Sequence, residues 1–340
     1  MINIGVIGYG YWGPNLVRNF GENPDIDVIY VCDRDEVRLA NLKSKMPAVK
    51  TPVDYMEVLR DDNINLVAIA TPVATHYQIA KDALTLGKHV LIEKPMTLNV
   101  KQALELIELS KRQGLHIFVD HTYLFTGAVK KIKELYAAGE MGDVLFFDSV
   151  RVNLGLFQSD VNVIWDLAPH DFSIMAYLIE KEPTEVSAIG AKRLYDAFED
   201  IAYVTVKFEG GLIAHFHVNW MSPVKIRRII VGASKKMVVF DDLSADEKIK
   251  VYDKGIRLLN NNDNEKSSVY NTLIQYRVGD VFIPKVEAKE ALKVEVAHIV
   301  DCLKNNATPI SDGYTGLRVM KLLEATNLSL SKNGAFVPIG

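Results

Sequence analysis

Two short runs carry the residue types that proton chemistry needs. The first is Glu93-Lys94-Pro95, which directly follows His89-Val90-Leu91-Ile92. That apolar run reads as a buried strand, so the two charges stand at its carboxyl edge, where ligands bind in parallel sheets. An ion pair at a strand end is commonly no more than solvated decoration. A lysine held beside another positive charge and partly desolvated has its pKa lowered; it can then hydrogen-bond a substrate hydroxyl and help to remove its proton. The second run is Asp166-Leu167-Ala168-Pro169-His170, with a carboxylate and an imidazole four apart, on one face if the segment is helical. Pro169 fits such a helix only in its first turn, which requires a start near Trp165. A plain reading is a core histidine with a capping aspartate. The functional reading is that Asp166 orients and charges His170, which shuttles a proton to or from a reacting oxygen.

A cofactor site is legible nearer the N-terminus. Gly8-Tyr9-Gly10-Tyr11-Trp12-Gly13 matches G-x-G-x-x-G, with a strand pattern before it and Pro14 fit for a first helical turn after it. A Cβ at Gly8 or Gly10 would hold the backbone away from a pyrophosphate, whose charge then sits on the helix N-terminus. Asp33, 20 residues past Gly13 at the end of the second strand, suits both ribose hydroxyls of an adenosine and favours NAD over NADP by repelling a 2′-phosphate. Arg34 beside it can stack on adenine or attract that phosphate, so NADP stays open. Thr71-Pro72 ends another strand on the same edge and would face the nicotinamide half, although a plain strand-to-helix turn reads the same way.

These residues need elements to hold them. Ile2–Gly8, Val28–Asp33, Leu66–Thr71, His89–Lys94 and His116–His121 read as buried strands that alternate with helices. Thr75 with Gln78 makes a capping box for one helix, closed by Gly87; Asn99 with Gln102 opens the next, ended by Gly114. The alternation predicts an α/β Rossmann domain, a doubly wound parallel sheet, over residues 1–122. Beyond it the runs 144–152, 185–192, 202–208, 212–220 and 225–232 follow one another, with one helical stretch at roughly 165–180. They predict an α+β domain with a large, mostly antiparallel sheet over residues 123–340, closed by helices near 287–304 and 313–331. Asn260-Asn261-Asn262-Asp263-Asn264 reads as a polar loop.

Composition narrows the partners. The 340 residues suffice for two domains, and 49% hydrophobic with 24% charged residues is a globular balance. Lys and Arg total 39 against 43 Asp and Glu, a net charge of −4, so the chain as a whole offers no field for nucleic acid or an anionic membrane. A small molecule is the expected partner. Cys32 and Cys302 are too far apart to suggest a disulfide framework or metal knuckle, no basic leader precedes Ile2, and no run approaches a membrane span. The expectation is a soluble cytoplasmic protein. His215 and His217 share a strand face without a third ligand at matching spacing, so no metal is expected.

Together these motifs resemble the Gfo/Idh/MocA family of glucose-fructose oxidoreductase, inositol dehydrogenase and their relatives. The resemblance runs through the glycine loop, Thr71-Pro72 with His76, Glu93-Lys94-Pro95, the stretch His121–Phe125, the Asp166 and His170 pair, and the helix after Asp312. It implies a Rossmann domain followed by an open sheet, NAD or NADP as cofactor, and a polyol, sugar or nucleotide-linked sugar as substrate. It further implies that Lys94 and His170 contact the hydroxyl being oxidised, with Asp166 assisting, and that Tyr11, Trp12, His76 and Glu93 belong to the cofactor site. Two departures bear on the substrate. Val163-Ile164-Trp165 stands where many relatives carry glycines, which makes a bulkier wall, and His121-Thr122-Tyr123-Leu124 replaces a stretch often bearing Asn and Arg. His121, Tyr123 and Trp165, with Arg151 and Asn153 at the end of the second domain's first strand, are the candidate substrate contacts. An apolar remainder on the second sheet predicts a homodimer or homotetramer. The expected activity is NAD(P)-dependent oxidation of a CH–OH group or its reverse; the alternative is a non-catalytic NAD-sensing regulator on the same fold.

Overall fold

The computed structural model describes residues 1–155, 157–158, 161–194, 196–259 and 273–340; the predicted loop at 260–264 lies outside them. In chain order the first half runs β1 (Ile2–Ile7), α1 (Gly13–Gly21), β2 (Ile26–Cys32), α2 (Glu36–Lys45), α3 (Tyr55–Leu59), β3 (Leu66–Ile69), α4 (Val73–Thr85), β4 (His89–Glu93), α5 (Val100–Gln113) and β5 (Ile117–Asp120). Its parallel strands take the order β2-β1-β3-β4-β5. β3 and β5 are buried throughout, as strands covered by helices on both faces must be. The order reverses at β1, so a crevice opens between the carboxyl ends of β1 and β3, where Gly8 and Thr71 stand.

Side-chain caps set most helix starts. Asp35 accepts from the amides of Val37 and Arg38, Asn99 from that of Gln102, and Asp312 from that of Thr315. The predicted capping box at Thr75 does not form. α4 begins three residues earlier, after Pro72, and the Thr75 hydroxyl lies 2.8 Å from the Pro72 carbonyl oxygen and 2.7 Å from the Thr71 hydroxyl. Proline supplies the turn into the helix, so the hydroxyl ties the turn back instead.

The second half adds α6 (Gly127–Ala137), β6 (Val144–Leu154), α7 (Val163–Leu178), β7 (Pro183–Ala191), β8 (Ile201–Phe208), β9 (Ile213–Asn219), β10 (Met221–Ala233), β11 (Met237–Asp241), β12 (Ile249–Leu259), β13 (Leu273–Phe282), α8 (Ala291–Asn305), α9 (Gly313–Ser331) and β14 (Val337–Pro338). These strands build a nine-stranded sheet, antiparallel except where β6 lies parallel to β9. Five strand runs were legible in the sequence; β11 to β14 and α6 were not. One face carries Val204, Val206, Phe216, Val218 and Trp220 into the core beneath α7 and α9.

The segment after residue 122 is not self-contained in packing. α8 returns to the first half and buries Leu292, Val296, Ile299 and Val300 in one cluster with β1 and α1. Arg18 of α1 and Glu290 ahead of α8 make a 2.6 Å ion pair, but both side chains are nearly half exposed. Such a pair contributes about 0–1 kcal/mol, against about 1.5–3 kcal/mol for each large apolar side chain fully buried, so the apolar seam dominates the docking.

Candidate active site

A cleft of about 780 Å³ runs across the carboxyl ends of the first sheet. Gly8 sits at φ +99°, a conformation that glycine adopts freely, and a Cβ there would meet the Ala70 carbonyl at 2.5 Å. Gly13 is equally constrained, because its Cβ would strike the Gly8 carbonyl. Beside the glycine loop, Gly10, Tyr11 and Trp12 line the cleft. Asp33 and Arg34 line it at the end of β2; one Asp33 oxygen accepts from the Tyr9 amide at 2.6 Å and the other from the Asp35 amide at 2.8 Å. The carboxylate therefore braces the loop as well as facing the cleft. Arg38 reaches back from α2, its Nη1 3.9 Å from Asp33. A backbone cradle that side chains would fill, followed by a helix N-terminus and bordered by a carboxylate, fits a dinucleotide with its pyrophosphate on α1 and its ribose at Asp33.

Thr71, Pro72, Glu93 and Lys94 continue the lining toward the second half. His76 also lies there, but its ring nitrogens are taken up by the backbone, at 2.7 Å from the Thr71 carbonyl oxygen and 3.0 Å from that of Pro95. It fastens one wall of the cleft to the other.

Glu93 and Lys94 part at the strand end. Lys94 turns to the second half, where Nζ donates to the Asp166 carbonyl at 2.9 Å and lies 3.7 Å from Asp166 Oδ1. Glu93 turns inward to Asp120, its cross-strand neighbour, and burial beside that carboxylate raises its pKa well above the ordinary value. The expected role of Asp166 needs correction. Its Oδ2 accepts from Trp220 Nε1 at 2.9 Å, and its charge faces Lys94; among the described hydrogen bonds none joins it to His170. α7 also begins at Val163, two residues before Trp165, capped by Asn162, so Pro169 falls in the second turn and not the first. Proline there leaves the Trp165 carbonyl without its helical donor.

Among the described residues His170 has no ion-pair partner. Its Nδ1 is buried with no hydrogen-bond partner among the described residues, and the Tyr123 ring packs at 5.0 Å between centroids. Burial first, then the nearby charges of Lys94, Arg151, His121 and Arg227, hold its pKa well below the usual histidine range. The structure thus replaces a charged His170 beside Asp166 with a neutral one.

Of the other predicted contacts, His121 is buried with neither ring nitrogen partnered among the described residues. Tyr123 is fixed by its hydroxyl, within 3.1 Å of Arg151 Nη1, 2.8 Å of Arg227 Nη1 and 3.3 Å of Asp242. Arg151 is not free to meet a substrate: it is 3% exposed and held in a bidentate pair by Asp171, at 2.9 and 2.7 Å. Asn153 sits against Gly155 and is not among the residues lining the cleft. Trp165 is buried in the core, its Nε1 without an acceptor among the described residues. Sequence reasoning missed Trp220, Arg227, Asp120 and Glu295. Trp220 follows β9, and no spacing signal ties residues so far apart to the site.

The chain matches two models of one family over most of its length: the oxidoreductase family with an NAD-binding Rossmann fold over residues 2–121, and the GFO/IDH/MocA C-terminal domain over residues 129–239. The chain belongs to the Gfo/Idh/MocA oxidoreductase family. This oxidoreductase is 24% identical to the myo-inositol 2-dehydrogenase of Thermotoga maritima, over 97% of each chain. It superposes on the UDP-N-acetylglucosamine 3-dehydrogenase of Acidithiobacillus ferrooxidans with a TM-score of 0.81 at 21% identity, covering 98% of both chains. A third relative in fold is GenD2 of gentamicin A biosynthesis in complex with NAD, with a TM-score of 0.82 at 20% identity, over 100% of this chain and 96% of the other. NAD is the cofactor of the family's Rossmann domain, and the oxidoreductase carries the cradle for it. No helix among the described residues is long and apolar enough to cross a membrane.

Proposed function

We infer that this oxidoreductase interconverts a secondary hydroxyl and the corresponding ketone of a sugar, polyol or nucleotide-linked sugar. Bound NAD supplies the hydride acceptor at nicotinamide C4. The observation that carries the reading is the convergence of Lys94 from the end of β4 with α7: its ammonium bonds the backbone one turn before His170 and contributes to the positive field around that imidazole. His170, uncharged at neutral pH, takes the hydroxyl proton during oxidation, and its buried Nδ1 leaves Nε2 to meet the substrate. Lys94 donates a hydrogen bond to the same oxygen as charge develops on it. Asp166 keeps Lys94 aimed and is itself held by Trp220. In reduction His170 returns the proton while Lys94 keeps its hydrogen bond to the same oxygen.

The unpartnered ring nitrogens of His121 and His170, behind the cleft lining, support a polyhydroxylated substrate, because an unpartnered buried imidazole is stabilised when a hydroxyl reaches it. The relatives' names point to inositols and UDP-linked amino sugars as the first compounds to try. Replacing Lys94 by Ala and His170 by Ala tests the assignment: each should lower kcat/KM by about 10²–10⁴-fold, with NADH binding retained in the His170 variant. Unchanged turnover in both would refute it, and NAD binding with no turnover on a panel of free and nucleotide-linked sugars would mark the regulator instead.

The outer face of the second sheet supports a homodimer or homotetramer, since Ile189, Tyr203 and Ile213 lie exposed on it. The two cysteines, both buried and free, are consistent with a cytoplasmic protein.

A further inference from the structure

Behind the cofactor cleft lies a group of three carboxyls that the proton chemistry does not use. Asp120 ends β5 and is 1% exposed. One of its oxygens accepts from the Trp12 indole N–H at 2.6 Å, and the other from the Thr122 hydroxyl. Glu93 reaches it from the end of β4, and Glu295 hydrogen-bonds it from α8, in the last part of the chain. Glu295 is itself 1% exposed, and its Oε2 has no hydrogen-bond partner among the described residues.

Two carboxylates cannot hydrogen-bond each other unless one keeps its proton. Burial, then the charge of Asp120, raises the Glu295 pKa well above the ordinary value, so Glu295 is the protonated partner and donates. Trp12 and Thr122 each take one oxygen of Asp120, and Glu93 and Glu295 bring their carboxyls up to the same group. Both residues it holds from the first half matter to the cleft: Trp12 lines it immediately before α1, and Thr122 opens the turn carrying Tyr123.

We propose that Glu295 is a positioning residue for the cofactor: it reaches from α8 under the Rossmann sheet and, by donating its proton to Asp120, holds the Trp12 indole at the mouth of the pyrophosphate cradle. The docking of α8 onto α1 through Leu292, Val296 and Ile299 supplies the rigid base for this reach. The apolar seam thereby has a functional counterpart, because loss of the α8 contact releases the cleft wall. The proposal depends on the dinucleotide cleft and not on which hydroxyl is oxidised.

The test uses the full-length protein without substrate, reading the NADH dissociation constant by fluorescence titration and the melting temperature separately. Glu295→Leu should weaken NADH binding about tenfold, the scale of one lost hydrogen bond to a charged group. Glu295→Gln, whose amide N–H still donates to Asp120, should stay within about twofold of wild type. Trp12→Phe should weaken binding similarly, and the Glu295→Leu/Trp12→Phe double variant should be no weaker than the single variants, as expected when one residue acts through the other. The proposal is overturned if Glu295→Leu lowers the melting temperature but leaves the dissociation constant alone, if Glu295→Gln binds as poorly as Glu295→Leu, or if the two losses add. Should Glu295→Leu fail to fold, Trp12→Phe with wild-type affinity overturns it equally.

Discussion

His121 shows at the residue scale what burial does to a titratable group. It is 1% exposed, and burial, then the charge of Lys94, lowers its pKa to about 4 even though Asp120 pulls the other way. Its unfolded value is near 6.5, so the unfolded chain takes up the proton first as pH falls. Stability present above pH 6.5 is therefore drawn down between 6.5 and 4, by at most about 3 kcal/mol. The difference in urea unfolding free energy between pH 7 and pH 4.5 should shrink in His121→Gln; an unchanged difference would place the titration elsewhere. The raised Glu295 acts with the opposite sign, since its contribution is complete below the ordinary glutamate value and is lost as pH rises through the folded one. Glu295→Gln should flatten the alkaline side of the stability profile. Arg151 and Asp171 form the buried pair under Tyr123, and Asp171→Ala leaves a guanidinium without a countercharge. A loss of about 3–5 kcal/mol is expected, measurable as a lower denaturation midpoint, with Arg151→Ala similar.

Elements decide how much tolerance the cleft has. The β1–α1 turn brings the Gly8 backbone against Ala70, so Gly8→Ala faces both a left-handed φ and a carbonyl at 2.5 Å. Cofactor binding should be lost while most of the far-UV circular dichroism is kept; an alanine variant with wild-type NADH affinity would mean that the turn adjusts. On the other side, Trp220 at the end of β9 holds Asp166 Oδ2. Trp220→Phe keeps most of the buried ring and removes that donor, so kcat should fall by more than NADH affinity does. Much of this level could be read from sequence patterns. The buried strands, the glycine fingerprint, the Asn99, Asp312 and Gly114 signals all rest on local chemistry that needs no distant partner. The Thr75 pattern is overridden because Pro72 starts α4 first, and α6 carries no comparable signal.

At the scale of the whole molecule, the nine-stranded sheet has one face on α7 and α9 and another on which Tyr203 stacks on His217 at 4.4 Å between centroids. Ile189, Tyr203 and Ile213 on that face are 65%, 47% and 44% exposed. Tyr203→Glu should shift the sedimentation coefficient toward a smaller species if copies of this chain meet there, and an unchanged coefficient would move the interface elsewhere. α8 supplies part of the apolar cluster around β1 and α1, so the first half alone lacks part of its core.

Amino-acid order by itself determined the α/β half and the dinucleotide fingerprint, and it singled out Lys94 and His170 as candidates, because strand burial, tight turns and caps are set by neighbours in the chain. Only the tertiary structure decided the partnerships. Asp166 serves Lys94 and Trp220 where the spacing suggested His170, Arg151 is spent on Asp171, and Glu295 reaches Asp120 from 175 positions away. Charges and buried hydrogen-bonding groups act over a few ångströms in space, and a one-dimensional pattern holds no measure of that distance.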